Sequence, residues 1–362
     1  MSNKNLLSGR DKELQELAEQ YEAAMSENKP FYQDADELAD LADWYGTKKR
    51  YDKAFEIVEY GLKLHPDSTE LMIEYAYLHL DNGKQAKARE IIENLPDTYS
   101  PEAKVVRAHL LLSEGKLDDA EQLLDTIEDK ADLANVVDVS YMYLDMGYPD
   151  KALAWLDPVK EEYSDEEAYI AVVADCLYGK GMTEEAIPLY NRLIDMNPYS
   201  APYWFGLARC HFEEMNFNQA IDACDYALVG DDEFADAYVM KGHCFYQLGN
   251  EDAALEYYQK AEELHGLAPE FIYTYIGLCK VSKGEWKEGY ENLEKAILEN
   301  ETDEIASPIL PSLYANAGLC LSKMGKKRKA HQYCKKAHKL SPEEPESLLI
   351  EGRIYIEEGD YY

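Results

Sequence analysis

The sequence predicts an all-α chain, a right-handed superhelical solenoid of antiparallel helix pairs, and three observations carry that prediction. Small residues return about every thirty-four positions along 362 residues. A turn residue, usually glycine, recurs midway between two such positions, and apolar residues on either side fall at helical spacing, as in Ile187, Tyr190, Leu193 and Ile194.

Residues 10–27, "RDKELQELAEQYEAAMSE", come first and read as a helix with Leu14, Leu17, Tyr21 and Met25 on one face. Residues 1–34 are therefore expected to form a capping region for the first repeat. The array follows over 35–362, its repeats starting near 35, 69, 101, 133, 167, 201, 235, 270 and 311, with a half repeat from 345. Within each repeat a first small residue (Ala42, Ala76, Ala108, Ser140, Ala174, Ala208, Gly242, Gly277, Gly318) precedes a second one, such as Ala54, Ala88, Ala220 or Ala254. These pairs are placed where two helices cross, because small side chains let the backbones approach. Proline often closes the repeat (Pro66, Pro198, Pro342), where a helix has to stop. The spacing departs from regularity between 270 and 311, where Pro308 and Pro311 are expected to mark an irregular connection.

The repeated residues resemble the tetratricopeptide repeat. Trp204, Leu207, Ala208, Phe217, Ala220 and Ala227 match that signature in one repeat, and Tyr238, Gly242, Phe245, Ala254, Tyr258 and Ala261 match it in the next. The resemblance covers 35–362 and implies about nine complete repeats plus a final half repeat, acting as a protein-interaction scaffold.

Composition narrows the function classes. With 72 acidic and 36 basic residues the net charge is −36, which opposes general nucleic-acid binding, since phosphates need cationic neutralisation. The first residues show no secretory signal, and no apolar run approaches the roughly 18 residues of a membrane span. A cytoplasmic location without membrane contact is the expectation. Seven cysteines, an odd number, fit reduced thiols better than a disulfide framework.

Packing competes with chemistry as the role of the reactive side chains. Cys176, Cys210, Cys244, Cys279 and Cys320 occupy one position of successive repeats, and Cys224 and Cys334 share another. Equivalent positions lie one repeat apart, too far for a shared tetrahedral metal, so cysteine reads as a small buried hydrophobe. No Ser/His/Asp set, phosphate loop or zinc motif is present in the sequence. The chain is expected to be non-enzymatic, with no cofactor and no metal.

The resemblance implies that partner segments lie in a groove lined by the first helix of each repeat. Transferred to this chain, the groove positions are Val137, Tyr141, Leu144, Ala171, Asp175, Tyr178, Phe205, Arg209, Phe212, Val239, His243, Tyr246, Phe271, Thr274 and Leu278. Rigid aromatics in such a strip suit a peptide or helix of a partner protein. The first three repeats instead present Asp36, Asp43, Glu70, Glu74, Tyr77 and Asp81, an acidic front suited to a partner with basic and hydrophobic segments. Family members that clamp a carboxylate tail use lysines and asparagines, where this chain has Ala39, Asp43, Glu74, Glu102 and Val106; the resemblance therefore does not extend to that clamp. The basic run "KMGKKRKAHQYCKKAHK" at 323–339 reads as a solvated face, with self-association through the terminal repeats as a second expectation. A scaffold or adaptor is thus expected, with a peptide-sensing regulatory subunit as the alternative.

Overall fold

The computed structural model describes residues 11–27, 29–264, 268–300, 307–343 and 345–359. Every regular element among them is helical. The chain divides into two compact bodies between Glu214 and Met215.

The first body opens with α1 (Asp11–Ser26) and continues as helix pairs: α2 (Ala35–Thr47) with α3 (Tyr51–Leu64), α4 (Thr69–Asp81) with α5 (Gln85–Glu93), and α6 (Pro101–Ser113) with α7 (Leu117–Leu124). Next come α8 (Leu133–Asp145) and α9 (Pro149–Leu156), which runs through a 3-10 turn at Asp157–Val159 into α10 (Lys160–Tyr163). Pro158 has no N–H to continue the α-ladder and breaks the helix there. The body ends with α11 (Glu167–Gly179), α12 (Thr183–Met196) and α13 (Ala201–Glu213).

From α2 to α11 each first helix packs on its own second helix and on the next first helix, in the order α2, α4, α6, α8, α11, α13. The small residues close these crossings: Ala42, Ala76, Ala108, Ser140, Ala174 and Ala208 are all fully buried. In one repeat the contact is explicit, because the Ser140 hydroxyl donates to the Ala152 carbonyl at 3.3 Å, joining the two small positions. Helix starts follow ordinary capping chemistry: the Ser68 and Ser100 hydroxyls accept from the Leu71 and Ala103 amides, and Pro101 takes a first-turn site that needs no N–H. α1 buries Leu14, Ala18 and Tyr21 in the core shared with α2 and α3.

The second body comprises α14 (Phe217–Gly230), α15 (Ala235–Gln247), α16 (Glu251–Glu263), α17 (Pro269–Ser282), α18 (Trp286–Asn300), α19 (Leu310–Lys323), α20 (Lys327–Leu340) and α21 (Pro345–Glu358). Pro311 corrects an expectation. It lies in the first turn of α19 rather than in an irregular connection, because the first turn tolerates a residue without an N–H. Within the basic run, Lys329 lies over the Tyr290 ring at 5.0 Å and Lys336 over the Tyr314 ring at 4.6 Å, so part of this charge is spent inside the body. Tyr361 and Tyr362 lie outside the described residues.

The turn glycines behave as their spacing predicts. Eight of them, including Gly83, Gly181 and Gly249, adopt φ between 69° and 77°, the left-handed region that costs a side chain. Lys49 and Met215 hold the same conformation without being glycine, at φ 58° and 59°.

Candidate functional site

In the first body, the ninth residue of successive repeats gives the series Asp43, Tyr77, His109, Tyr141, Asp175 and Arg209. All six sit at the same level of neighbouring first helices, and adjacent members touch along much of the series. The Tyr77 and His109 rings meet at 5.7 Å, Tyr141 donates to Asp175 at 3.3 Å, and Arg209 donates to Asp175 at 2.7 Å.

Asp175 is the hub of a polar knot. Its carboxylate also accepts from the Tyr190 hydroxyl at 2.7 Å, and Arg209 reaches the same hydroxyl at 3.3 Å. The Arg209 guanidinium lies 4.4 Å from the Tyr178 ring centre and 5.6 Å from that of Phe205. Dehydration, and then the negative Asp175, push the Tyr190 phenol well above its ordinary pKa, so it remains a donor at all working pH values. Four of the groove positions, Tyr141, Tyr178, Phe205 and Arg209, therefore converge here. Val137 is buried in the core with Leu144 at its edge, and Phe212 is half-buried at the end of α13.

The second body gathers a different set. The His243 ring nitrogen Nδ1 is 2.8 Å from the Tyr258 hydroxyl, and its ring meets Tyr275 edge-on at 4.5 Å. Burial pushes the imidazole down to about 4, so it is neutral at pH 7. Val239 is buried, Tyr246 packs beside Tyr258 and Cys279, and Phe271 remains 39% exposed.

A cavity of about 400 Å³ opens on the first-helix face of the first body. α2 contributes Asp36, Ala39, Asp40 and Asp43; α4 contributes Thr69, Glu70, Ile73, Glu74 and Tyr77; α6 contributes Glu102, Val105 and His109; and α8 contributes Asp138, Tyr141, Met142 and Asp145. Asp97 and Ser100 complete it from the loop before α6. The acidic front read from sequence is thus brought together, apart from Asp81, which is exposed and does not line the cavity. Dehydration, together with the Asp43 and Asp40 carboxylates, holds the Glu74 carboxyl well above the ordinary glutamate range. Burial pushes His109 down to about 4, leaving it neutral.

All seven cysteines are buried and free, and burial pushes the thiols of Cys176, Cys210, Cys244, Cys279 and Cys320 up to about 12, far from a reactive thiolate. Among the described residues no group of three His, Cys, Asp or Glu side chains is placed to hold a metal ion, and no helix is long and apolar enough to cross a membrane.

The fold and its repeating first-helix surface define the class: an all-α superhelical repeat protein. Tetratricopeptide repeat models match residues 47–108 and 311–344, and the model for the anaphase-promoting complex, cyclosome, subunit 3 matches 179–261. Among solved structures, the anaphase-promoting complex hetero-tetramer Cut9–Hcn1 is 15% identical, covering 90% of this chain and 84% of that one, with a TM-score of 0.52. PilF of Pseudomonas aeruginosa is 15% identical over 62% of this chain and 98% of its own, with a TM-score of 0.51. A tetratricopeptide repeat protein from Parabacteroides merdae is 18% identical over 63% and 87%, with a TM-score of 0.50. At these identities the likeness is one of fold. No curated protein matches the chain in sequence. Repeat signature, helix pairs and family models agree: the chain is a tetratricopeptide repeat protein.

Proposed function

We propose that the protein is a non-catalytic interaction scaffold that holds a segment of a partner protein against the first helices of its repeats. The observation that carries this reading is the cavity on the first-helix face, a concavity of a size that takes side chains of a bound segment. Half-buried aromatics on the same helices, Tyr178, Phe205 and Phe212 in one body and Tyr246 in the other, support it. They are large and anchored on one side, as interface anchors are. The match of 179–261 to a family model named for a subunit of a multiprotein complex points the same way.

The test is affinity capture from native lysate with quantitative mass spectrometry. It compares the wild-type chain with a Phe205→Ala, Phe212→Ala, Tyr246→Ala variant whose helicity and melting are unchanged. Proteins retained by the wild type should be depleted on the variant. Equal retention on both would place the partner elsewhere and end this reading.

A further inference from the structure

The basic run at 323–339 has a placement that the groove does not use. No aspartate or glutamate occurs between Glu304 and Glu343, although 72 of the 362 residues are acidic. Helix α20 carries most of the run and buries Ala330, Cys334 and Ala337. With about 100° of rotation per residue, Arg328, Lys335 and Lys339 fall within about 40° of one another on the opposite side of that helix. All three are exposed, as is Gln332 between them.

A second observation, independent of the run itself, is that these three cations have no ion-pair or hydrogen-bond partner among the described residues. Other lysines of the same helix do: Lys329 and Lys336 donate to the Tyr290 and Tyr314 hydroxyls at 2.7 and 3.0 Å. With 72 acidic residues against 36 basic ones, a row of cations kept clear of every carboxylate is not what random placement gives.

The row advances in steps of about 10 Å and about 6 Å along the helix axis, and this spacing selects the shape of what it meets. In an extended strand the side chains alternate faces about every 3.3 Å, so three carboxylates at those steps would not share a side. A facing helix has the same rise as α20, and carboxylates at matching intervals all meet the row. Width selects as well. A bilayer or a nucleic-acid duplex extends beyond one helix and meets the surrounding carboxylates of a chain with net charge −36. A single nucleic-acid strand binds on exposed aromatics, whereas the one tyrosine of α20, Tyr333, packs inward on Tyr290 and Tyr314.

We propose that Arg328, Lys335 and Lys339 form a docking row for an acidic α-helix of a second partner protein, separate from the segment held against the first helices. The inference goes beyond the groove reading and does not depend on it. Two surfaces for two partners make the scaffold an adaptor.

The probe is a labelled helical peptide carrying one stripe of glutamates at alternating four- and three-residue spacing. Its control has the same composition with the glutamates spread round the helix. Fluorescence anisotropy with the full chain should show the striped peptide binding about tenfold more tightly, an advantage that shrinks as salt is raised. Arg328→Gln with Lys335→Gln and Lys339→Gln should abolish the advantage and leave melting unchanged, since all three side chains are exposed. Lys335→Arg should retain it, and so should Lys287→Gln, a change at an exposed lysine of α18.

Equal binding of the two peptides to the wild type, or an advantage that survives the triple change, would overturn the inference. Phosphatidylserine vesicles or a single-stranded oligonucleotide that bind more tightly than the striped peptide, and are lost on the triple variant, would assign the row to another class of partner and overturn it too. A concentration-dependent mass in light scattering, abolished by the triple change, would assign the row to a second copy of the chain with the same consequence. The Phe205→Ala, Phe212→Ala, Tyr246→Ala variant should bind the striped peptide as the wild type does, which keeps failure of the groove reading distinct from failure of this one.

Discussion

Thirty tyrosines in a chain of net charge −36 look out of proportion until their hydroxyls are followed. Tyr45 donates to Glu22 at 2.8 Å, Tyr203 to Glu167 at 2.7 Å and Tyr190 to Asp175 at 2.7 Å. The ring fills an aromatic slot between helices, and the phenol supplies a donor to carboxylates that outnumber the available lysines and arginines. Asp175 takes this furthest, with three donors on one carboxylate. Asp175→Ala should cost about 2–3 kcal/mol in chemical denaturation, because it strands Arg209 and Tyr190 together. Tyr141→Phe, which removes only the longest of the three bonds, should cost under about 1 kcal/mol. Glu74 works in the opposite direction. Its pKa is raised in the folded chain, so its contribution to stability is complete below the ordinary value of 4.5 and is lost as pH rises through the folded value. Glu74→Gln should therefore leave the melting temperature unchanged near pH 4 and raise it at pH 8. A lower melting temperature at pH 8 would show that Glu74 is stabilised as an anion.

At the scale of the helix pair, two features set the geometry: what crosses, and what turns. A methyl group built on Gly242 would lie 2.4 Å from Cε1 of Tyr258, a ring held in place by its neighbours. Gly242→Ala should thus cost about 1–3 kcal/mol, read by urea denaturation, and pairing it with Tyr258→Leu should recover part of the loss. Met215 holds the left-handed turn conformation while its side chain is 75% exposed. Met215→Gly should raise stability by about 0.5–1 kcal/mol, since the left-handed strain exceeds the added chain entropy and no packing is lost. These elements were legible in sequence because the repeat prints each of them about nine times over. Ala208, Gly242 and Gly249 could be placed by comparing repeats, without knowledge of what each one touched. The break at Pro158 was not read, as it occurs in one repeat and has no echo in the others. The knot around Asp175 was also missed, although a signal existed: Tyr141, Asp175 and Arg209 hold the same place in consecutive repeats and are chemically complementary. Reading it would have required treating equivalent positions as neighbours in space, a step taken for the cysteines only to exclude a shared metal.

For the whole molecule, charge and surface act together. The acidic front was visible as Asp36, Asp43, Glu70, Glu74 and Tyr77. The cavity was not, because its lining also takes Asp138, Tyr141 and Asp145 from a later repeat. The central claim is that a partner lies against the first helices of the repeats and not against the second helices. The most direct measurement places a photo-crosslinking phenylalanine analogue at one position at a time in the full chain, followed by irradiation in native lysate and mass spectrometry. Positions Phe205 and Tyr246, on first helices, should yield adducts with a shared partner. Position Tyr226, 56% exposed on the second helix α14, should yield none with that partner. Adducts with the partner at Tyr226 and none at Phe205 or Tyr246 would contradict the account.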